Sequence, residues 1–118
     1  MKNKVIPSED ELGILKANLI DQYFRAGRSI DIYKEKILLL PKGYISKKII
    51  SGKDQYYLQW RENGKIRSLY INRNDLEKYE NGIKVRKKYE KSLKYLLQQK
   101  KEIEKFVGKE IIEYYGNK

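Results

Sequence analysis

Asn63-Gly64 lies within the stretch DQYYLQWRENGKIRSLYI, Asp54 to Ile71, and constrains the fold more than any other dipeptide of the chain. Both residues tolerate positive φ, which a type I′ turn of a two-residue β-hairpin requires at its two central positions. On either side apolar and polar residues alternate, which predicts strands over Gln55–Glu62 and Lys65–Ile71. With the turn setting the register, Glu62 opposes Lys65, Trp60 opposes Arg67, Leu58 opposes Leu69 and Tyr56 opposes Ile71. Successive strand residues project to opposite faces. Tyr56, Leu58, Trp60, Leu69 and Ile71 therefore share the more apolar face, and Tyr57, Gln59, Arg61, Ser68 and Tyr70 share the other.

Tyr44 to Ile50 reads as a further strand, with SGKD as the turn that closes Ile50 against Gln55. That pairing adds Ile45 and Ile49 to the Trp60 face, and Tyr44, Ser46 and Lys48 to the Tyr57 face. Upstream, Ser8-Glu9-Asp10-Glu11 has the form of a capping box, and Leu12, Leu15, Leu19 and Tyr23 follow at helical spacing. Gly27 is expected to end this helix. Ser29 then caps a second helix, whose face of Ile30, Tyr33, Ile37 and Leu40 stops at Pro41 and Gly43, although ILLL also suits a buried strand. Downstream, Asn74 offers an N-cap for DLEKYENGIKVRKKYEKSLKYLLQQKKEIEKFV. Tyr79, Ile83, Tyr89, Leu93, Leu96, Ile103 and Val107 trace one helical face there, interrupted by Arg86 and Lys100. Asn81-Gly82 either lies within one long helix or divides it, and Gly108 offers its end. The stripe through Leu93, Leu96, Ile103 and Val107 suits an intramolecular helix partner, or alternatively a bundle between copies. The fold class is α+β: a three-stranded antiparallel sheet with amino-terminal helices and a long carboxyl-terminal helix.

A chain of 118 residues fits one domain, and 40% hydrophobic with 36% charged residues suits a small core under a charged surface rather than a disordered chain. Residues 1–118 are expected to form one compact unit, with 1–7 and 109–118 peripheral. The absence of Cys and His removes disulfides and the usual zinc or iron–sulfur ligands, so no cofactor or metal is expected. The start, MKNKVIPSEDE, turns acidic before any signal-peptide apolar run, and no segment reaches membrane-spanning length. A cytoplasmic protein without membrane contact is the expectation. Asp21, Asp31, Asp54 and Glu62 have no recognisable metal-binding or hydrolytic spacing, and Pro41-Lys42-Gly43-Tyr44 lacks the full pattern of a nucleotide-binding loop. No enzyme activity is expected.

The net charge of +11 favours polyanionic partners. In successive windows, 1–30, 31–60, 61–90 and 91–118, the charge is +1, +3, +4 and +3, so the excess is spread along the chain rather than held in a tail. DNA or RNA is the first partner expected. Tyr57 and Tyr70 would stack on bases or fit a groove, Gln59 would meet a base edge, and Lys48, Arg61, Lys84, Arg86, Lys87 and Lys88 would position phosphates. The bland alternatives are a solvated face for the lysine-rich helix, and a sheet face covered by a helix or by another copy. Trp60 is expected first as a core anchor, with base stacking as its alternative, and Arg67 opposite it suits a cation–π contact. The rival function is a protein inhibitor, encoded by a virus or mobile element, that binds an acidic groove of a nucleic-acid enzyme such as a CRISPR effector. The sequence leaves the oligomeric state open.

LPKGYISKKIISGKDQYYLQWRENGKIRSLYI, Leu40 to Ile71, resembles small basic proteins of prokaryotes and their viruses or mobile elements, largely described by a domain of unknown function. The resemblance rests on Gly43, Gly52, Tyr56, Tyr57, Leu58, Gly64, Lys65, Ser68 and Tyr70. It extends into the helix through about Val107 and leaves the amino-terminal helix outside. It implies an α-β-α arrangement and carries over no catalytic residue.

Overall fold

In a computed structural model, which describes residues 9–117 and the side chains from Gly13 onward, a single helix replaces the two expected at the amino end. This helix, α1, spans Glu9–Leu38 without interruption. Gly27 fails to end it because its backbone continues the helical ladder. A Cβ there would meet only the Lys100 ammonium, at 3.6 Å, so the residue costs the helix about 1 kcal/mol relative to alanine and no more. Ser29 is correspondingly an interior helical residue and caps nothing. The helix closes through turns in which the Leu39 and Leu40 amides donate to the carbonyls of Lys36 and Ile37. The expected Ser8–Glu11 capping box rests on Ser8 and on side chains that lie outside those described.

Three strands follow, β1 Tyr44–Ile50, β2 Lys53–Glu62 and β3 Lys65–Ile71, in antiparallel order β1-β2-β3. The β2–β3 register is the expected one throughout, from Tyr56 opposite Ile71 to Glu62 opposite Lys65. The β1–β2 register differs by two residues, because Ile50 pairs with Lys53 and only Ser51-Gly52 form the turn. Both turns have positive φ at both central residues, Ser51 53° and Gly52 77°, Asn63 50° and Gly64 76°, as a type I′ turn requires. A shift of two leaves each side chain on its expected face. Ile45 and Ile49 stay with Trp60, and Tyr44, Ser46 and Lys48 stay with Tyr57.

After β3, Asn72 rather than Asn74 does the capping. Its side chain accepts from the Asn74 amide at 3.5 Å and starts a 3-10 turn, Arg73–Asp75. Helix α2 then runs unbroken over Leu76–Val107, so Asn81-Gly82 does not divide it, and Gly108 (φ 97°) separates it from α3, Lys109–Gly116. No helix among the described residues is long and apolar enough to cross a membrane.

The contacts group the chain into two compact units. In the first, residues 1–32 with 93–118, the α1 residue Ile20 is buried with Ile103 and Val107 of α2 and Ile112 of α3, and Leu19, Tyr23 and Phe24 pack against them. The carboxyl-terminal stripe thus finds its partner within the chain, and α3 contributes a buried residue. The Tyr23 hydroxyl donates to the Glu104 carboxylate at 2.7 Å, and the Lys100 ammonium lies 4.5 Å from the Tyr23 ring centre. Lys100 interrupts the apolar stripe in sequence because its position is used for this contact.

The second unit, residues 33–92, holds the sheet, the end of α1 and the start of α2. Its buried side chains are Ile37, Leu58 and Ile71, the last 2% exposed. Tyr33 and Tyr89 meet at 5.3 Å. Gly82 lies under Pro41: a Cβ there would come within 2.6–2.7 Å of the proline ring, so glycine lets the connection after α1 press against α2.

Candidate nucleic-acid interface

Strand alternation and the observed pairing divide the sheet's charges unequally. Both of its acidic residues, Asp54 and Glu62, project on the Trp60 face, where each has a basic neighbour. Lys47 lies 3.8 Å from Asp54 and Arg67 lies 3.7 Å from Glu62. Glu62 also accepts from the Trp60 indole at 3.4 Å, so Arg67 is drawn to the carboxylate beside Trp60, and Trp60 is half-buried on the inner face. The Tyr57 face has no acidic residue. Its cations are Lys48, Lys53 and Arg61, and among the described residues none of these three has an acidic partner.

On this face the Tyr57 and Tyr70 rings meet edge to face, 5.7 Å apart at 75°. The Lys48 ammonium sits 5.0 Å from the centre of the Tyr57 ring. A cation–π contact at an exposed site is worth only about 0.5–1 kcal/mol, so it orients Lys48 without withdrawing its charge from a ligand. The Gln59 amide donates to the Ser68 hydroxyl across the strands at 3.1 Å, which leaves its carbonyl oxygen and a second N–H for other partners. Arg61 is exposed, and its backbone carbonyl accepts from the Lys42 ammonium at 3.4 Å. Tyr70 is 54% exposed and Tyr44, at the start of β1 on the same face, 55%.

The α2 residues separate into two groups. Tyr79, Gly82, Ile83, Arg86 and Tyr89 recur at helical spacing on the packed side, and Lys84, Lys87 and Lys88 are exposed, with Lys87 at the edge of that side beside Ile83. Arg86 does not face outward with the lysines. Its guanidinium donates to the carbonyls of Ile37 at 3.1 Å and Leu40 at 2.8 Å and lies 3.8 Å from Glu90, with its side chain 16% exposed. It adds a second donor to the Ile37 carbonyl, which already accepts from the Leu40 amide, and satisfies the Leu40 carbonyl just beyond α1. Sequence spacing places an arginine within a basic run, but its engagement with α1 depends on contacts more than forty residues distant.

Lys84 and Lys87 come together with the sheet. With Glu80, Ile83, Gly43, Tyr44 and Ile45 they line a shallow cavity of about 270 Å³. This side of α2, with Glu80 beside its lysines, therefore meets the acid-free sheet face at Tyr44. Two members of this surface, Tyr44 and Lys53, were not among the expected site residues. Alternation already places Tyr44 on the right face, and Ser51-Gly52, read as a complete two-residue turn, would have brought Lys53 into β2. Lys88 is exposed on the same side of α2. A larger cavity, about 410 Å³, is lined by Leu38, Leu39, Leu40, Pro41, Leu58 and Tyr79 with Lys78 and Gly82, and brings no set of polar groups to one point. No group of three or more acidic side chains suited to a metal ion occurs among the described residues.

The molecule is an α+β protein whose sheet keeps both of its acidic residues on one face and has none on the other. It belongs to the family described as a domain of unknown function (DUF6788), which matches residues 18–81, over half of the chain. The match reaches further into α1 than the resemblance from Leu40 onward suggests, and it stops at the start of α2 rather than near Val107. It contains Lys48, Tyr57, Gln59, Arg61 and Tyr70 and excludes Lys84, Arg86, Lys87 and Lys88. Neither a curated protein nor a solved structure gives a significant match to the chain.

Proposed function

We propose that this protein binds nucleic acid through the Tyr57 face of the sheet together with the outward lysines of α2. The observation that carries the reading is the acid-free sheet face, with Lys48, Lys53 and Arg61 unpaired among the described residues while the acids occupy the other face. A surface that only needed to be soluble would gain from mixing the two signs, whereas one that meets phosphates gains from excluding carboxylates. Lys84, Lys87 and Lys88 add phosphate contacts. Tyr44, Tyr57 and Tyr70 supply contact area, and Gln59 supplies directional hydrogen bonds. Arg86 is reserved for the end of α1 and takes no part.

The distribution of charge over the two units supports the same reading. Residues 33–92 carry 16 basic and 7 acidic side chains, net +9, and the rest of the chain carries 11 and 9, net +2. The test is a titration of short single- and double-stranded DNA and RNA with the full chain at several salt concentrations. The expected result is binding that weakens steeply as salt rises, because each neutralised phosphate releases counterions. Failure to bind any of them at low salt would sink the proposal.

A further inference from the structure

Resting on the nucleic-acid reading, we infer that the acid-free face is built for B-form double-stranded DNA and enters its major groove. In this docking the middle of the sheet meets base edges, and cations at the two strand ends meet phosphates of the flanking walls.

The inference starts from where charge lies along the strands. At one end of the face are Lys48 and Lys53. At the other are Arg61 and, through the cavity at Tyr44, Lys84 and Lys87 with one carboxylate, Glu80, beside them. Between them the face is uncharged and hydrogen-bonding, with Ser46, Tyr57, Gln59, Ser68 and Tyr70. Lys48 opposes Gln55, and from Gln55 to Arg61 the strand advances about 20 Å at roughly 3.3 Å per residue. A strand pair laid along the major groove of B-DNA, about 12 Å wide, puts its middle against base edges, and end cations about 20 Å apart along the groove, on flexible side chains, reach phosphates of the walls that flank it. A single strand presents one line of phosphates and calls for a continuous basic track instead.

The rings give an independent reason. A single-strand platform needs open aromatic faces on which successive bases stack. Here Tyr57 and Tyr70 stand at 75° to each other, so the pair does not form parallel plates. Rings locked edge to face make a shaped wall, suited to thymine methyl groups and sugar edges in a groove. The Gln59 amide, steadied by Ser68, has the donor and acceptor that adenine presents a partner for in the major groove. A-form RNA does not offer this site, since its major groove is too deep and narrow for side chains to read.

Fluorescence anisotropy with the full chain and three probes of one mixed sequence tests the inference: a DNA duplex of about 20 base pairs, roughly two helical turns, its single strand, and the matching RNA duplex. The DNA duplex is expected to bind at least about tenfold more tightly than either of the others. Glucosylated 5-hydroxymethylcytosine in the duplex, which fills the major groove, is expected to weaken binding by a similar factor, and netropsin, which fills the minor groove, to change it by less than about twofold. Equal or tighter binding to the single strand or the RNA duplex, or displacement by netropsin alone, would overturn the groove assignment while leaving nucleic-acid binding in place. Absence of binding to all three probes would overturn both.

Discussion

Gly43 and Tyr23 show how single residues hold the frame of each unit. Gly43 has φ 106°, and a Cβ there would collide with the Gln59 carbonyl and come within 3.0 Å of the Trp60 Cβ. Backbone strain and overpacking both act against a larger residue. Gly43→Ala is expected to cost about 2–4 kcal/mol, read as a lower urea midpoint. Tyr23 acts through a different effect. Burial, reinforced by its hydrogen bond to Glu104 and by the negative charges of Glu104 and Glu113, raises its hydroxyl from 10.0 to about 12. A phenol held neutral in the folded state contributes stability that is complete below the unfolded value of 10 and is lost as pH rises toward 12. Tyr23→Phe is expected to lower stability at neutral pH by about 0.5–1.5 kcal/mol, and its penalty should shrink between these two pH values in unfolding curves run against pH. The role of Gly43 was legible in part, since Pro-Lys-Gly marks a turn. That of Tyr23 was not, because Glu104 lies 81 residues away.

At the scale of elements, patterns that repeat locally are the most legible in a sequence. Two-residue turns with the right stereochemistry set the β2–β3 pairing residue for residue, and side-chain alternation survives even the two-residue shift in the β1–β2 pairing. Gly27 is the instructive failure. Glycine ends a helix when its left-handed conformation is used, but within a packed helix it is only a weak propensity penalty, and the sequence does not say which applies. The observed continuity of α1 makes a prediction of definite sign. Gly27→Ala should raise stability by about 0.5–1 kcal/mol in thermal or urea unfolding, because the new methyl group meets nothing closer than 3.6 Å and the helix gains propensity. A glycine that terminated the helix would give the opposite sign. Arg86 and Lys100 carry a related lesson: charged residues that interrupt an apolar stripe are placed there for a carbonyl pair and a ring, respectively.

For the whole molecule, the excess charge is concentrated in one contiguous stretch that is also a compact unit: residues 33–92 hold +9 and the rest of the chain +2. The nucleic-acid reading assigns the first of these to phosphate binding, and the lysines beside Tyr44 offer its cleanest test. Lys84→Gln with Lys87→Gln, both exposed and without acidic partners among the described residues, should leave the unfolding midpoint unchanged. The same pair should make the slope of log affinity against log salt less steep by roughly 1.8, about 0.9 for each phosphate that is no longer neutralised. An unchanged slope would remove α2 from the interface. The sequence by itself determined the hairpin, its register and which side chains share each face, because turn stereochemistry and the two-residue repeat of a strand are local. Only the tertiary structure decided that α1 is one helix, that Arg86 turns to the carbonyls of Ile37 and Leu40, and that Lys84 and Lys87 stand beside Tyr44. The last two join segments forty or more residues apart, and packing between such segments has no period that a sequence can display.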